Sequence, residues 1–148
     1  MRRGGVLDPA VSVMSSAQIP SVAPLGRSRI LVVDDSAASR EVLCTTLRRA
    51  GFQTTEAQEG SEGLWRARSA AFDAVLTDVH MPTMDGLEFI RQLRRLPGYD
   101  KTPVFVLTSD VSRARFAEGR QVGATAWLVK PPNLMALVTA VREALTSV

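Results

Sequence analysis

Short apolar runs recur along the chain at intervals of about two dozen residues, a length that holds one strand, one helix and two short loops. Ile30 to Val33, Ala74 to Leu76, Val104 to Leu107 and Ala126 to Val129 read as strands buried on both faces, as in a parallel sheet covered by helices. Phe52 to Ala57 is more polar and mixed, as a sheet edge requires. Between these runs, helical spacing predicts helices near 36–50, 59–71, 85–96, 112–122 and 133–147. Punctuation supports the boundaries. Gly51 follows the first helix as a C′ residue, Asp85 and Glu88 form a D-x-x-E capping box, and Asn133 caps the last helix after Pro131 and Pro132. Five strands alternating with five helices predict an α/β fold with a doubly wound parallel sheet.

Residues 1–27 break this rhythm. They hold three of the eight prolines and show neither helical nor strand periodicity, so they read as a flexible N-terminal tail, with Met14 an alternative start. Residues 28–148 then form one domain without internal repeats.

Composition adds exclusions. Of 148 residues, 45% are hydrophobic and 22% charged, a globular balance, and no apolar run approaches the roughly 18 residues of a membrane-spanning helix. Arg2 and Arg3 are followed too soon by Asp8 and Pro9 for a secretory hydrophobic region. The single cysteine, Cys44, precludes an internal disulfide or a cysteine-built zinc site and fits a reducing cytoplasm. The net charge of +3 lies mostly in the tail, because residues 28–148 carry 15 basic and 14 acidic side chains. No basic run interleaved with aromatics marks a nucleic-acid-reading element, so neither nucleic acid nor membrane is expected as a direct partner.

The chemistry collects at strand ends. Right-handed crossovers put the C-terminal end of every parallel strand on one rim, where ligands bind. The first run ends in Asp34-Asp35, the third in Asp78, the fourth in Thr108-Ser109 and the fifth in Lys130-Pro131. With the first and third strands adjacent, three carboxylates share a site and repel unless a cation sits among them. All-oxygen ligands favour Mg²⁺ or Mn²⁺ over zinc, and Mg²⁺ shares phosphate oxygens readily, which points to phosphoryl transfer. Lysine is rare here: Lys130 and Lys101 stand against 16 arginines. A compact ammonium at this rim suits a phosphoryl oxygen, and the Thr108 hydroxyl is a second donor.

Each residue also has a plainer reading. Taken alone, Asp34-Asp35 reads equally well as a helix N-cap. His80, the only histidine, is a poor ligand beside a hard oxygen site, and its side chain reads as a loop residue. Trp127 reads as a strand aromatic packed on a helix, Cys44 as a small hydrophobe inside the first helix, and Trp65 as a partly exposed helix residue.

Four motifs occur in order: V-V-D-D at 32–35, L-T-D-V-H-M-P-T-M-D-G at 76–86, V-L-T-S at 106–109 and G-A-T-A-W-L-V-K-P at 123–131. With them, residues 28–146 resemble a receiver domain of bacterial two-component response regulators, most like the stand-alone chemotaxis-type receivers. The resemblance implies a flavodoxin-like sheet of strand order 2-1-3-4-5. It implies that Asp78 accepts a phosphoryl group from a histidine kinase or histidine phosphotransfer protein. Asp34, Asp35, Asp78 and the His80 main-chain carbonyl would organise Mg²⁺, Thr108 and Lys130 would hold the transferred group, and Trp127 would take the switch-aromatic position. Pro132 stands where the family commonly has an aromatic residue.

Because the chain ends soon after its fifth helix, the expected output is a binding event, to a downstream protein or a second copy through residues 112–147. The expected role is a signalling phosphoacceptor that catalyses only its own phosphorylation and dephosphorylation. An aspartate-nucleophile phosphohydrolase is the rival enzyme, but it needs a second acid where His80 stands. A flavin-binding module needs a phosphate-cradling loop, whose ligand Asp34-Asp35 would repel.

Overall fold

β1 (Arg29–Val33) is buried along almost its whole length, as an interior strand of the sheet. The computed structural model describes residues 28–146, so the tail expected over 1–27 lies outside the described residues. In chain order the further elements are α1 (Ala37–Arg49), β2 (Gln53–Ala57), α2 (Gly60–Ser69), β3 (Ala74–Thr77), α3 (Gly86–Arg95), β4 (Val104–Thr108), α4 (Arg113–Gln121), β5 (Ala126–Val129) and α5 (Leu134–Thr146). The five strands form one parallel sheet in the order β2-β1-β3-β4-β5, the order expected from the motifs. β1 and β3 are adjacent, with Val33 paired to Thr77, so Asp34 and Asp78 leave the sheet side by side.

Strand alternation sorts the apolar residues onto two faces. Ile30, Val32, Leu76, Phe105 and Leu107 pack against Leu43, Cys44 and Leu47 of α1 and Leu137 and Val141 of α5. Leu31, Val33, Val75, Val104 and Val106 pack against α2 and α3 through Leu64, Ala67, Leu87, Phe89, Ile90 and Leu93. Cys44 is a fully buried free thiol, as its hydrophobic reading required, and burial raises its pKa. The edge strand β2 is the most polar, and its pattern of exposure matches its mixed sequence.

Helix ends follow the local signals with one exception. Gly51 has φ 103 and donates to the Arg48 carbonyl, and Ala136 donates to Asn133 Oδ1. Asp85 accepts from the Glu88 amide at 2.9 Å, but the capping box is only half formed, because the Glu88 carboxylate turns outward to Arg91 and Gln92. α1, α2, α3 and α4 each carry arginine in the last turn, where the helix dipole favours a cation. In this topology those turns all lie on the rim opposite the carboxylates. No helix among the described residues is long and apolar enough to cross a membrane.

Candidate functional site

The rim beyond β1 and β3 gathers Asp34, Asp35 and Asp78, each with an oxygen within 4.8 Å of the others. Lys130, at the end of β5, reaches between two of them. Its Nζ donates to Asp34 Oδ2 at 2.7 Å and to Asp78 Oδ2 at 3.0 Å. Burial works to lower the Lys130 pKa, but the hydrogen bonds and charges of Asp34 and Asp78 outweigh it and leave the ammonium above its ordinary range. The Lys130–Pro131 peptide bond is cis.

The three carboxylates are not equivalent. Asp34 is 1% exposed, and its oxygens are largely spoken for: Oδ1 accepts from the Ser36 amide, while Oδ2 accepts from Ser39 Oγ and from Lys130. Its main-chain carbonyl accepts from Arg40, whose Nε also reaches Glu56. Asp34 therefore braces the β1–α1 turn. The N-cap of α1 is Ser36, whose hydroxyl accepts from the Ser39 amide, so the acidic pair does not cap the helix. Asp35 is exposed, and its carboxylate accepts no hydrogen bond from a described residue.

Asp78 is held from below. Its Oδ1 accepts from the Val79 amide at 2.6 Å and more weakly from the His80 amide at 3.4 Å, which leaves Oδ2 facing Lys130. The loop after it carries Thr83 at φ 72, a left-handed conformation uncommon for a β-branched residue. It closes where Gly86 donates to the Val79 carbonyl at 2.7 Å. A Cβ on Gly86 would stand 1.9 Å from the Asp78 carbonyl oxygen, so only glycine admits this approach.

Thr108 is fully buried at the end of β4, and its Oγ1 accepts from the Asp110 amide, which leaves the hydroxyl proton to donate elsewhere. The Lys130 amide donates to the Thr108 carbonyl. Trp127 lies further down β5, against α4, where it meets Phe116 edge-on at 5.9 Å between ring centroids. His80 has its side chain mostly in solvent, yet Nε2 pairs with Asp110 Oδ2 at 3.0 Å.

Asp35, whose carboxylate is unengaged, and Asp78, whose Oδ2 is held by Lys130 alone, form beside a braced third a hard-oxygen donor set that fits Mg²⁺ or Mn²⁺. The His80 carbonyl, which accepts no bond from a described residue, is compatible with it. The structure brings Asp34, Asp35, Asp78 and Lys130 together at the strand ends where the sequence put them, with Thr108 buried at the end of β4. Sequence reasoning missed Ser39, Arg40 and Gly86, which hold the carboxylates in place. Only Gly86 carried a trace of this, as the last residue of the 76–86 motif.

The family described as "Response regulator receiver domain" matches residues 30–142. The chain is 36% identical over 104 residues to the gliding motility regulatory protein of Myxococcus xanthus, covering 70% of this chain but only 13% of that protein. It is 35% identical over 104 residues to the chemotaxis protein CheY of Pseudomonas aeruginosa, covering 70% of this chain and 84% of that one. The solved structure of the Vibrio cholerae chemotaxis protein CheY4 superposes with a TM-score of 0.77 at 39% identity, over 80% of this chain and 98% of the other. These likenesses favour neither the phosphohydrolase nor the flavin module. The order of the strands, the acidic rim with its lysine and these matches lead to one conclusion: the chain belongs to the response regulator receiver domain family.

Proposed function

We propose that Asp78 is the phosphoacceptor of this receiver, taking its phosphoryl group from a phosphohistidine on a histidine kinase or histidine phosphotransfer protein. The observation that carries the reading is Lys130 Nζ lying between Asp34 and Asp78, at 2.7 and 3.0 Å, on a rim that also holds Asp35. An Asp78 oxygen attacks phosphorus in line, the O–P bond forms as the N–P bond breaks, and the imidazole leaves. Asp35, Asp78 and the His80 main-chain carbonyl would hold Mg²⁺, which when bound offsets the charge on the phosphoryl oxygens. Asp34 belongs to the same acidic site, but its hydrogen bonds suit it to orient the turn and its neighbours rather than to give an oxygen to the cation directly.

Lys130 then exchanges a carboxylate for a phosphoryl oxygen, and the buried Thr108 hydroxyl donates to another. A cleft of about 500 Å³ opens beside the lysine between α1 and the β5–α5 loop, lined in part by Ser39, Val42, Lys130, Pro131 and Pro132. It supports approach of a bulky donor to that side of Asp78. Movement of Thr108 toward the new charge would free space beside β5 for Trp127. The surface of α4, β5 and α5 then changes its affinity for a downstream protein or a second copy; residues 147 and 148 lie outside the described residues. The protein acts as a signalling phosphoacceptor in the cytoplasm, the compartment its lone thiol suits.

Incubation with Mg²⁺ and acetyl phosphate, followed by intact mass, tests the assignment. Wild type gains one hydroxylamine-labile phosphoryl group, and Asp78→Asn gains none. The same gain in the variant would refute Asp78 as the site.

A further inference from the structure

Gly119 lies inside α4, a position where alanine is the better helix former, and the same helix uses alanine at Ala114 and Ala117. A helix-interior glycine that is also buried calls for a reason beyond propensity. The reason is across the interface with β5. A Cβ on Gly119 would stand 2.5 Å from Trp127 Cζ3 and 2.8 Å from Cε3, both atoms of the indole ring. The six-membered edge of the indole therefore fills the volume that any side chain at 119 would occupy.

Phe116 sits one turn earlier on the same helix and meets the indole edge-on, with an interplanar angle of 84°. Trp127 is thus located by two residues of α4, an aromatic on one side and a missing side chain beneath. Beside it opens a cavity of about 360 Å³, lined by Phe116, Arg120, Ala124, Thr125 and Ala126 as well as Trp127. A cavity of about 150 Å³ already accommodates a benzene ring. The indole therefore has one filled slot and a space next to it into which it can swing.

We propose that Gly119 is the positioning residue for Trp127. The absent side chain is the slot that holds the indole on α4, and any side chain at 119 expels the ring toward the neighbouring cavity whether or not Asp78 is phosphorylated. The proposal rests on the reading of Trp127 as the switch only for its consequence. The placement of the ring by Gly119 stands on geometry alone.

The test uses the full chain carrying Trp65→Phe, so that Trp127 is the sole indole emitter. In that background Gly119→Ala should shift Trp127 emission to longer wavelength, make it more accessible to acrylamide, and abolish most of the emission change caused by beryllofluoride, a phosphoryl mimic. Adding Trp127→Tyr to Gly119→Ala replaces the large ring by a smaller one. The amide-exchange pattern over residues 112–146, altered in the single variant, should then return to that of wild type.

Unchanged Trp127 emission in Gly119→Ala, with a raised Tm from the better helix former, would overturn the proposal. So would failure of the double variant to restore the exchange pattern. Should Gly119→Ala not fold, the double variant must fold, and its failure to do so also counts against the slot. If the Gly119→Ala shift occurs but beryllofluoride moves neither Trp127 emission nor exchange in the Trp65→Phe protein, the switch reading falls while the positioning role stands.

Discussion

His80 Nε2 and Asp110 Oδ2 lie 3.0 Å apart and join the loops that leave β3 and β4, each residue two places beyond a rim residue, Asp78 or Thr108. From places two beyond the proposed acceptor and Thr108, both side chains would reach a water attacking a phosphoryl group on Asp78, and their pairing requires the two loops to face each other. Hydrogen bonds from the Ser112 amide and hydroxyl, with a smaller contribution from His80, hold the Asp110 carboxyl below its usual range. It is therefore an anion throughout the neutral range. Asp110→Ala removes that anion and releases the imidazole, so the phosphoryl half-life should change severalfold while loading from acetyl phosphate still goes to completion. Superimposable decay curves for variant and wild type, followed by intact mass, would dismiss a role for the pair.

Lys130 is the cation that keeps Asp34 and Asp78 together. Lys130→Met leaves the carboxylates without it and should lower stability by about 2–3 kcal/mol in chelator. Excess Mg²⁺ should recover part of that loss, since a bound cation restores the charge balance. The pH dependence follows from a folded-state pKa above the ordinary 10.5. The stabilisation is complete below 10.5 and is lost as pH rises through the higher folded value. Urea unfolding of both proteins should show a gap at neutral pH that closes under strongly alkaline conditions. A gap independent of both Mg²⁺ and pH would mean that Lys130 contributes packing rather than charge.

Asp85 ties two helices. Its Oδ1 caps α3 through the Glu88 amide, and its Oδ2 accepts from Arg115 of α4, each at 2.9 Å. Partial burial would raise its pKa, but the Glu88 amide and Arg115 together bring it below the ordinary 3.8. Its contribution is therefore present above 3.8 and is lost as pH falls through the lower folded value. Asp85→Ala should cost about 1–2 kcal/mol at neutral pH, as loss of an N-cap does. Asp85→Asn, which keeps an acceptor for the cap, should cost less. In acid the wild-type and alanine denaturation midpoints should converge, and parallel curves at every pH would contradict the assignment.

What was legible in the chain was what depends on local period and on topology. Buried strand runs such as Val104 to Leu107 announce themselves, and a right-handed parallel sheet sends Asp34, Asp35, Asp78, Thr108 and Lys130 to one rim without further information. What was not legible depends on which side chain turns where. Glu88 has the spacing of a reciprocal capping box yet bonds to Arg91 and Gln92, because its own helix face offers those partners. Nothing in the sequence sets Ser39 and Arg40 apart from other first-turn residues, and only the folded β1–α1 turn puts both on Asp34. The near-neutral sum over residues 28–148 also hid a separation of charge, since the basic last turns of four helices share the rim opposite the carboxylates.

Gly86 shows how closely the loop after Asp78 depends on the start of α3. The three atoms nearest a Cβ there are all main-chain: the Asp78 oxygen at 1.9 Å, the Asp78 carbonyl carbon at 2.9 Å and Val79 Cα at 3.0 Å. None of these can yield by changing a rotamer, so Gly86→Ala must displace either the helix or the backbone carrying Asp78. The hydrogen bond from the Gly86 amide to the Val79 carbonyl would lengthen with it. We expect a loss of about 2–4 kcal/mol in stability. Gly98 is the contrasting site: its φ of 89 strains any other residue, but no atom lies within 4 Å of the added carbon. Gly98→Ala should therefore cost only the backbone term, about 1–2 kcal/mol. The two variants should differ more sharply in chemistry. Asp78 is aimed by the Val79 amide, so moving that backbone should slow loading from acetyl phosphate in Gly86→Ala, measured on the folded fraction, and leave it unchanged in Gly98→Ala. Equal loading rates in the two proteins would show that the acceptor tolerates displacement of its loop, and would remove Gly86 from the residues that position it.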